Sequence, residues 1–248
     1  MNEQKINLTK FIANSSFCSR RKAEILIKNN LVKINNKIAK IGDKINPKDK
    51  ISIKEKIITT EKKIYLKLHK PIGYTSTNKT FKNEKNIFSL ITKENYQGDI
   101  KELKKLNDIV IQKLYIAGRL DKNSSGLIIL SNDGDFIQKL THPNFNHEKE
   151  YLISFNYPKT NKKYNEEEIK KKFKKGIIDQ KELLRAKKIN FITKNQIKII
   201  LDYGKKRQIR RMLKHVNLEI KTLKRLRIGK IKLNNLKIKK WNFIRECF

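Results

Sequence analysis

The stretch from Gly118 to Leu130 says most about the fold of this chain, because it places a polar turn directly before an apolar run. It reads Gly-Arg-Leu-Asp-Lys-Asn-Ser-Ser-Gly and continues as Leu-Ile-Ile-Leu. Asn, Ser and Gly favour turns, and a short apolar run bounded by turn signals indicates a strand. Asp121 therefore lies in a turn at the entrance of a strand. Taken alone, this carboxylate is either a structural turn residue or the chemical centre of an enzyme.

The charge of the chain favours a nucleic-acid partner. Sixty Lys and Arg residues stand against 24 Asp and Glu, a formal net charge of +36, and phosphate backbones are the partners that reward such an excess. A biased A/T-rich codon usage could also supply much of the lysine, so arginine is the sharper indicator. Seven of the ten arginines fall in three short clusters, namely Arg20 and Arg21; Arg207, Arg210 and Arg211; and Arg225 and Arg227. Their planar guanidinium groups suit phosphate and carboxylate contacts.

Several protein classes are not indicated. Cys18 and Cys247 lie far apart and predict no disulfide framework, and the four histidines have no zinc-ligand spacing. Neither a signal sequence nor an apolar segment of the length needed to span a bilayer is present. We therefore expect a soluble cytoplasmic protein, without metal or membrane contact, whose hydrophobic content of 38% supports a true core.

Residues 1–53 read as a small binding module. The spacing of Leu8, Phe11 and Ile12 predicts a short helix from about Asn7, and Ser19 can cap a second helix over residues 20–28. A strand at residues 31–35, an Asn-Asn turn and a strand near 50–53 complete the module. Fewer than fifty residues make a small core, so the unit indicates an appended module.

This module resembles the alpha-L RNA-binding domain. The resemblance rests on Phe-Cys-Ser-Arg-Arg-Lys-Ala-Glu at residues 17–24, Val-Lys-Ile-Asn at 32–35 and Ile-Gly-Asp-Lys-Ile at 41–45. It implies that the N-terminus of the second helix, with Ser19, Arg20, Arg21 and Lys22, binds RNA phosphates. Positive charge and free backbone N–H groups at a helix N-terminus suit that role. The alternative is a solvated basic helix.

Residues 54–64 are charged and without periodicity, and we interpret them as a linker. From residue 65 onward, strands outnumber helices and do not alternate regularly with them, so the fold class is α+β, with a mixed, mainly antiparallel sheet. Residues 78–113 lack pattern and suggest a basic insertion. Strands are predicted at 65–68, 115–117, 127–130, 150–155, 188–192, 196–202 and 221–227, and helices at 135–140, 166–173 and 206–215.

Three further segments accompany the Asp121 turn. They are Lys-Pro-Ile-Gly-Tyr at residues 70–74, His-Glu-Lys-Glu-Tyr at 147–151 and Arg-Gln-Ile-Arg-Arg-Met at 207–212. Each has an ordinary structural reading: a Pro-Gly turn, a core tyrosine on a strand, and a solvated basic helix face.

Together and in this order, the segments resemble the pseudouridine synthases of the RsuA/RluB/RluF type, and the RluF-like enzymes look closest. The resemblance covers nearly the whole chain, and Gly-Arg-Leu-Asp followed by Ser-Gly-Leu-Ile-Ile-Leu-Ser-Asn-Asp-Gly is its most specific motif. It implies isomerisation of a uridine in RNA, most simply large-subunit ribosomal RNA, without a cofactor. We expect a monomer.

The resemblance also implies roles for individual residues. Asp121 would be the catalytic carboxylate, either attacking covalently or removing a sugar proton, and Arg210 would be its ionic partner. Tyr151 would stack on the flipped base. Leu223 would line the pocket and Arg119 would shape it or hold phosphate. The remaining RNA-binding candidates are Arg207, Arg211 and Arg225.

Two alternatives stay open at this point. The chain could be a non-catalytic RNA-binding or ribosome-assembly protein with the same fold. It could also direct the same chemistry to small-subunit ribosomal RNA or to tRNA.

Overall fold

The computed structural model describes residues 5–15, 17–77, 82–99, 101–102, 114–157 and 165–244. The chain divides into two compact units, one of residues 1–64 with 132–134 and one of residues 65–131 with 135–248. No helix in the described parts of the chain is both long and apolar enough to cross a bilayer.

The first unit packs two helices on small sheets. In chain order its elements are β1 (Ile6–Asn7), α1 (Leu8–Asn14), α2 (Arg20–Lys28), β2 (Val32–Ile34), β3 (Lys37–Ile38), β4 (Lys44–Ile45), β5 (Ile51–Ile53) and β6 (Lys56–Ile58). The Asn7 and Ser19 side chains cap the two helices by accepting from the backbone N–H groups of Thr9 and Lys22. Both helices and the Ser19 cap agree with the sequence prediction, which placed the start of the first helix near Asn7.

The core of this unit is aliphatic. Its fully buried members come from the helices and strands alike and include Leu8, Ile12, Ile27, Val32, Ile45 and Ile51. Strand β5 pairs with β2 on one side and with β6 on the other. The interpretation of residues 54–64 as a linker is therefore corrected, because Lys54 and Glu55 form a hairpin turn with positive φ and residues 56–58 are the last strand of the module.

The second unit is built on a mixed sheet with nine strands in the described residues. The strands are β7 (Tyr65–Lys70), β8 (Tyr115–Ala117), β9 (Ser125–Ser131), β10 (Lys149–Asn156), β13 (Lys188–Thr193), β14 (Gln196–Leu201), β15 (Glu219–Ile228), β16 (Ile231–Lys232) and β17 (Trp241–Phe243). A separate hairpin consists of β11 (Ile177–Asp179) and β12 (Glu182–Leu184). The order across the sheet is β13-β14-β10-β15-β9-β7-β17.

Strand β9 is internal, and Leu127, Ile128, Ile129 and Leu130 are all fully buried. It pairs antiparallel with β7 and parallel with β15. Strand β15 therefore separates β9 from β10, although β9 and β10 follow each other more closely along the chain.

Helices α3 (Gly134–Thr141), α4 (Glu166–Lys175) and α5 (Gln208–Lys214) accompany the sheet, with 3₁₀ turns at Ile87–Leu90 and Pro143–Phe145. Every strand and helix predicted for this unit is present, with ends that differ by a few residues, and the α+β class is confirmed. The sequence prediction missed the β11–β12 hairpin and the two short strands β16 and β17.

The predicted basic insertion at residues 78–113 lies only partly within the described residues. Where the chain is described, it is packed. Ile87, Leu90 and Ile91 are buried, and the ring of Tyr96 lies 4.7 Å from that of Trp241. Residues 82–99 are thus part of the folded domain, while 78–81, 100 and 103–113 fall outside the described residues.

Candidate active site around Asp121

The loop between β8 and β9 carries Asp121, and a buried lysine donates hydrogen bonds to its backbone. Lys70, at the end of β7, has no exposed surface. Its ammonium donates to the backbone carbonyls of Asp121 at 3.1 Å, Lys122 at 3.2 Å and Ser124 at 2.6 Å, and also to Pro71. Burial lowers the pKa of Lys70 to about 8, although the charge of Asp121 opposes this. The ammonium thus fixes the backbone from Asp121, the catalytic candidate, to Ser124.

A second buried cation secures the same loop from β15. The Arg225 side chain donates from Nε to the Leu127 carbonyl at 2.9 Å and from Nη1 to the Arg119 carbonyl at 3.2 Å. Gly126 makes this arrangement possible. A Cβ there would lie 2.3 Å from the Arg225 carbonyl oxygen, and the residue has a φ of +111°. Only glycine accepts both the close strand approach and this conformation.

The Asp121 carboxylate faces two guanidinium groups of the α5 region. Its Oδ2 lies 3.6 Å from Arg210 Nε and 3.8 Å from Arg207 Nη1. These distances are those of ion pairs rather than of hydrogen bonds. Arg210 instead donates from Nη2 to the Asn123 carbonyl at 2.7 Å and to the Ser124 hydroxyl at 3.1 Å. Burial and the neighbouring Arg207 lower the pKa of Arg210, whereas Asp121 raises it.

A cavity of about 490 Å³ opens above this carboxylate. Asp121 keeps 38% of its side chain exposed there, which leaves the carboxylate open to a ligand. Tyr151 on β10 and Leu223 on β15 are largely buried and supply an aromatic and an aliphatic wall, and Arg119 lines the rim. The cavity thus combines an accessible carboxylate, two paired arginines and apolar walls, a set suited to holding a planar polar ring beside an anionic reactive group.

A second cavity of about 520 Å³ adjoins the first and shares Arg119, Tyr151, Gly204 and Lys205 with it. Its lining also includes His147, Lys149 and Arg225, with Asp202 as the acidic member.

Among the described residues, no group of three or more His, Cys, Asp or Glu side chains is placed to hold a metal ion.

The RNA-binding candidates separate into two groups. Ser19, Arg20, Arg21 and Lys22 are exposed at the N-terminus of α2, and Arg207 is exposed at the cavity. Arg225 is only 2% exposed, so the prediction that it contacts RNA is corrected. Its guanidinium instead donates hydrogen bonds to backbone carbonyls inside the domain. The prediction that Arg211 contacts RNA is likewise corrected, because its guanidinium forms ion pairs with Asp179 and Glu182.

Lys70 is the principal residue of the site that sequence reasoning missed. The sequence of its segment indicates only a strand end and a Pro-Gly turn. The strand period of two places Leu66, Leu68 and Lys70 on one face, and the first two are core residues. A lysine at the third such position was the signal for a buried cation.

Comparison with known proteins agrees with the motifs. A family model described as RNA pseudouridylate synthase matches residues 64–215, and one for the S4 domain matches residues 7–51. A solved structure titled "Crystal structure of pseudouridylate synthase" superposes with a TM-score of 0.63 and 26% identity, covering 96% of this chain and 95% of the other.

The match to each of three curated relatives extends over most of that relative's length. An uncharacterised RNA pseudouridine synthase of Borreliella burgdorferi is 35% identical over 92% of this chain and 85% of its own. The dual-specificity RNA pseudouridine synthase RluF of Escherichia coli K12 is 30% identical over 96% and 75%. The ribosomal large subunit pseudouridine synthase B of Bacillus subtilis is 31% identical over 92% and 88%. The family resemblance inferred from the motifs is confirmed.

Proposed function

Because this chain belongs to the RNA pseudouridine synthase family, we propose that it isomerises a uridine of large-subunit ribosomal RNA, with Asp121 as the catalytic carboxylate. The observation that carries the proposal is the position of Asp121. Its carboxylate is half-exposed in a cavity and paired with Arg210 and Arg207, while Tyr151 and Leu223 form the walls.

The reaction balances without a cofactor. The bond between N1 of uracil and C1′ of the ribose breaks, the uracil turns within the pocket, and C5 bonds to C1′. A proton leaves C5 and N1 ends protonated, so no electron or group is taken from another molecule. Asp121 acts through its carboxylate, either by adding covalently or by removing a sugar proton, with the guanidinium groups of Arg210 and Arg207 beside it.

Tyr151 and Leu223 would hold the base during its rotation. Tyr151 is 8% exposed and Leu223 6%, so both are fixed by packing on neighbouring strands. An aromatic ring on one side lets the uracil stack and rotate, and an aliphatic wall offers no competing hydrogen bond. The family resemblance also suggests that Tyr151 assists the transfer of the proton from C5.

The target base has to leave its helix to reach Asp121. Extrusion of a base costs a few kcal/mol, so the substrate should present a loop or a weak helix at this position. The cationic surface would supply affinity independent of sequence, and the N-terminal module would contribute to the choice of site.

The choice of large-subunit RNA rests on the name of the Bacillus subtilis relative. The name of RluF states a dual specificity, so a second RNA, such as a tRNA or small-subunit RNA, is the alternative to be tested. We also propose that the protein acts as a monomer in the cytoplasm, where ribosomal RNA is assembled into ribosomes.

Release of tritium from RNA carrying [5-³H]uridine tests the chemistry directly, because C5 loses its hydrogen only when the new bond forms. We expect the wild type to release tritium and Asp121→Asn to release none above background while RNA binding stays within about twofold, since the variant removes one charge of many. Equal rates for the two proteins would refute the assignment of Asp121. Failure of the wild type on every RNA would favour a non-catalytic RNA-binding role.

Carbodiimide mapping of pseudouridine in total RNA identifies the target. Cells with and without the gene should differ by the loss of a large-subunit signal, restored by the wild type and not by Asp121→Asn. A lost signal in tRNA or small-subunit RNA alone would refute the choice of large-subunit RNA while leaving the chemistry intact.

A further inference from the structure

Helix α5 presents three different faces to its surroundings. Its apolar residues are buried, and Arg207 and Arg210 point toward the Asp121 carboxylate. Gln208 and Arg211, each one position further along, point toward the β11–β12 hairpin. Gln208 and Arg211 have the i, i+3 spacing of one helix face, while Arg207 is the left-handed residue directly before the helix, so a shift of the start of α5 moves Arg207 and Arg210 together with Gln208 and Arg211.

The hairpin displays two carboxylates at its tip. Asp179 and Glu182 lie directly opposite each other across the antiparallel pair. Gln180 and Lys181 between them both have positive φ, the conformation of a tight two-residue hairpin turn. Two like charges in facing positions destabilise a strand pair, so this arrangement calls for a cation between them.

Arg211 of α5 supplies that cation. Its Nε contacts an Asp179 carboxylate oxygen, its Nη1 lies 2.5 Å from Glu182 Oε2, and its Nη2 donates to the Asp179 carbonyl. His215, one turn further along, lies 3.0 Å from the other Asp179 oxygen. Hydrogen bonds from His215 and Arg211 hold the pKa of Asp179 below its usual value. The Arg211 guanidinium is therefore engaged on all three nitrogens.

The segment before α5 is joined to the same region. The amide of Gln208, which is 3% exposed, donates to the Arg185 carbonyl just after β12, and its oxygen accepts from the Lys205 backbone N–H at 2.9 Å. The Lys205 ammonium lies 3.4 Å from Glu182. The hairpin thus holds the chain on both sides of Arg207.

We propose that the β11–β12 hairpin, acting through Arg211 and Gln208, sets the position of Arg207 and Arg210 against Asp121. Arg211 is then a positioning residue of the catalytic site and not an RNA ligand. The inference rests on the proposed function, because it concerns the rate of the step that Asp121 carries out. Arg207 and Arg210 are only 3.8 and 3.6 Å from the carboxylate, so a small displacement of α5 changes both ion pairs together.

The test compares two losses of a partly buried arginine ion pair. Arg211→Gln removes the contacts to the hairpin. Arg227→Gln is the matched control, since Arg227 also bridges two carboxylates, those of Glu148 and Glu150, with 18% of its side chain exposed against 15% for Arg211. Single-turnover rate, RNA affinity and thermal unfolding are measured for the wild type and both variants.

We expect Arg211→Gln to lower the single-turnover rate by about tenfold or more, as small misplacements of catalytic groups do, with RNA affinity within about twofold. Arg227→Gln should lose comparable thermal stability and keep its rate. Equal rates in the two variants, or a rate loss explained by the unfolded fraction, would overturn the inference. If the wild type itself is inactive, the proposed function fails instead.

Two further variants keep the test decisive. Asp179→Asn with Glu182→Gln leaves α5 unchanged in sequence and should reproduce the rate loss even if Arg211→Gln folds poorly. In a double-mutant cycle, Arg211→Gln added to Arg210→Lys should cost less than it does in the wild type, because its effect passes through Arg210. Independent, multiplicative effects would refute that route.

Discussion

The ammonium of Lys70 lies 2.6 Å from the Ser124 carbonyl and 3.1 Å from the Asp121 carbonyl, so one buried cation joins both ends of the turn that carries the Asp121 side chain. The turn also closes on itself through the Ser124 N–H and the Asp121 carbonyl. The carboxylate is therefore aimed by the backbone below it as well as by the arginines beside it.

Lys70→Met should impair catalysis and stability together. Four carbonyls would lose their shared donor inside the domain, and unsatisfied buried polar groups cost about 1–3 kcal/mol each. We expect a loss of about 2 kcal/mol or more in the free energy of unfolding, and a rate loss of about tenfold or more. Lys67→Met, on the opposite face of β7, is the control and should keep its rate. Full activity of Lys70→Met would contradict the positioning role.

The rate should also fall on the alkaline side, since burial lowers the pKa of Lys70 to about 8. Above that pH the neutral amine has fewer donors for the loop. The sign for stability is opposite: the unfolded state, with a pKa near 10.5, binds more protons between about pH 8 and 10.5, so this group raises the free energy of unfolding as pH rises.

The measurement is a pH profile of the single-turnover rate beside denaturant unfolding at pH 7 and 9. In Lys70→Arg the alkaline decline near pH 8 should disappear, because a guanidinium stays protonated throughout. A decline that is unchanged in Lys70→Arg would assign it to another group.

Gly126→Ala should strongly destabilise the domain. The added Cβ would lie 2.3 Å from the Arg225 carbonyl oxygen at a φ of +111°, so strand overlap and backbone strain act together. We expect a loss of about 3 kcal/mol in the free energy of unfolding. Gly73→Ala isolates the strain, because Gly73 has a φ of +89° and nothing within 4 Å of its Cβ position, and should lose about 1 kcal/mol. Equal losses would argue against the close strand approach.

The N-terminal module should govern the salt dependence of RNA binding. Arg21→Gln with Lys22→Gln removes two exposed charges from the N-terminus of α2. We expect the slope of log K against log salt to fall by up to about 0.7 for each lost phosphate contact on single-stranded RNA. Arg225→Gln removes a charge within the domain core and should leave the slope unaltered. A reduced slope in Arg225→Gln alone would show that Arg225, and not the α2 cations, contacts RNA phosphate.

Most helices and strands could be predicted from the sequence because the signals that start and stop them lie within the elements themselves. The caps at Asn7 and Ser19, the aliphatic run of β9 and the Glu-rich start of α4 each follow from a few neighbouring residues. The family motifs brought together Asp121, Tyr151 and Arg210, and these three do line one cavity.

The sequence did not distinguish between cations that look alike. Arg210 and Arg211 are adjacent, yet one faces Asp121 and the other a hairpin whose strands are only three residues long. Arg225 and Lys70 are buried and donate to carbonyls that are distant along the chain, and such partners have no local signature. Arginine clustering therefore located the region of the site but not the task of each arginine.

Strand β15 lies between β9 and β10 in the sheet, and this order has a consequence for synthesis on the ribosome. The Asp121 loop precedes β9 and Tyr151 belongs to β10, so neither is in its final place until residues 219–228 have left the exit tunnel and inserted between them. Pairings between distant segments form slowly. A nascent chain that already carries its N-terminal module and both of these residues therefore still lacks the strand that holds the Asp121 loop and Tyr151 on either side of one cavity.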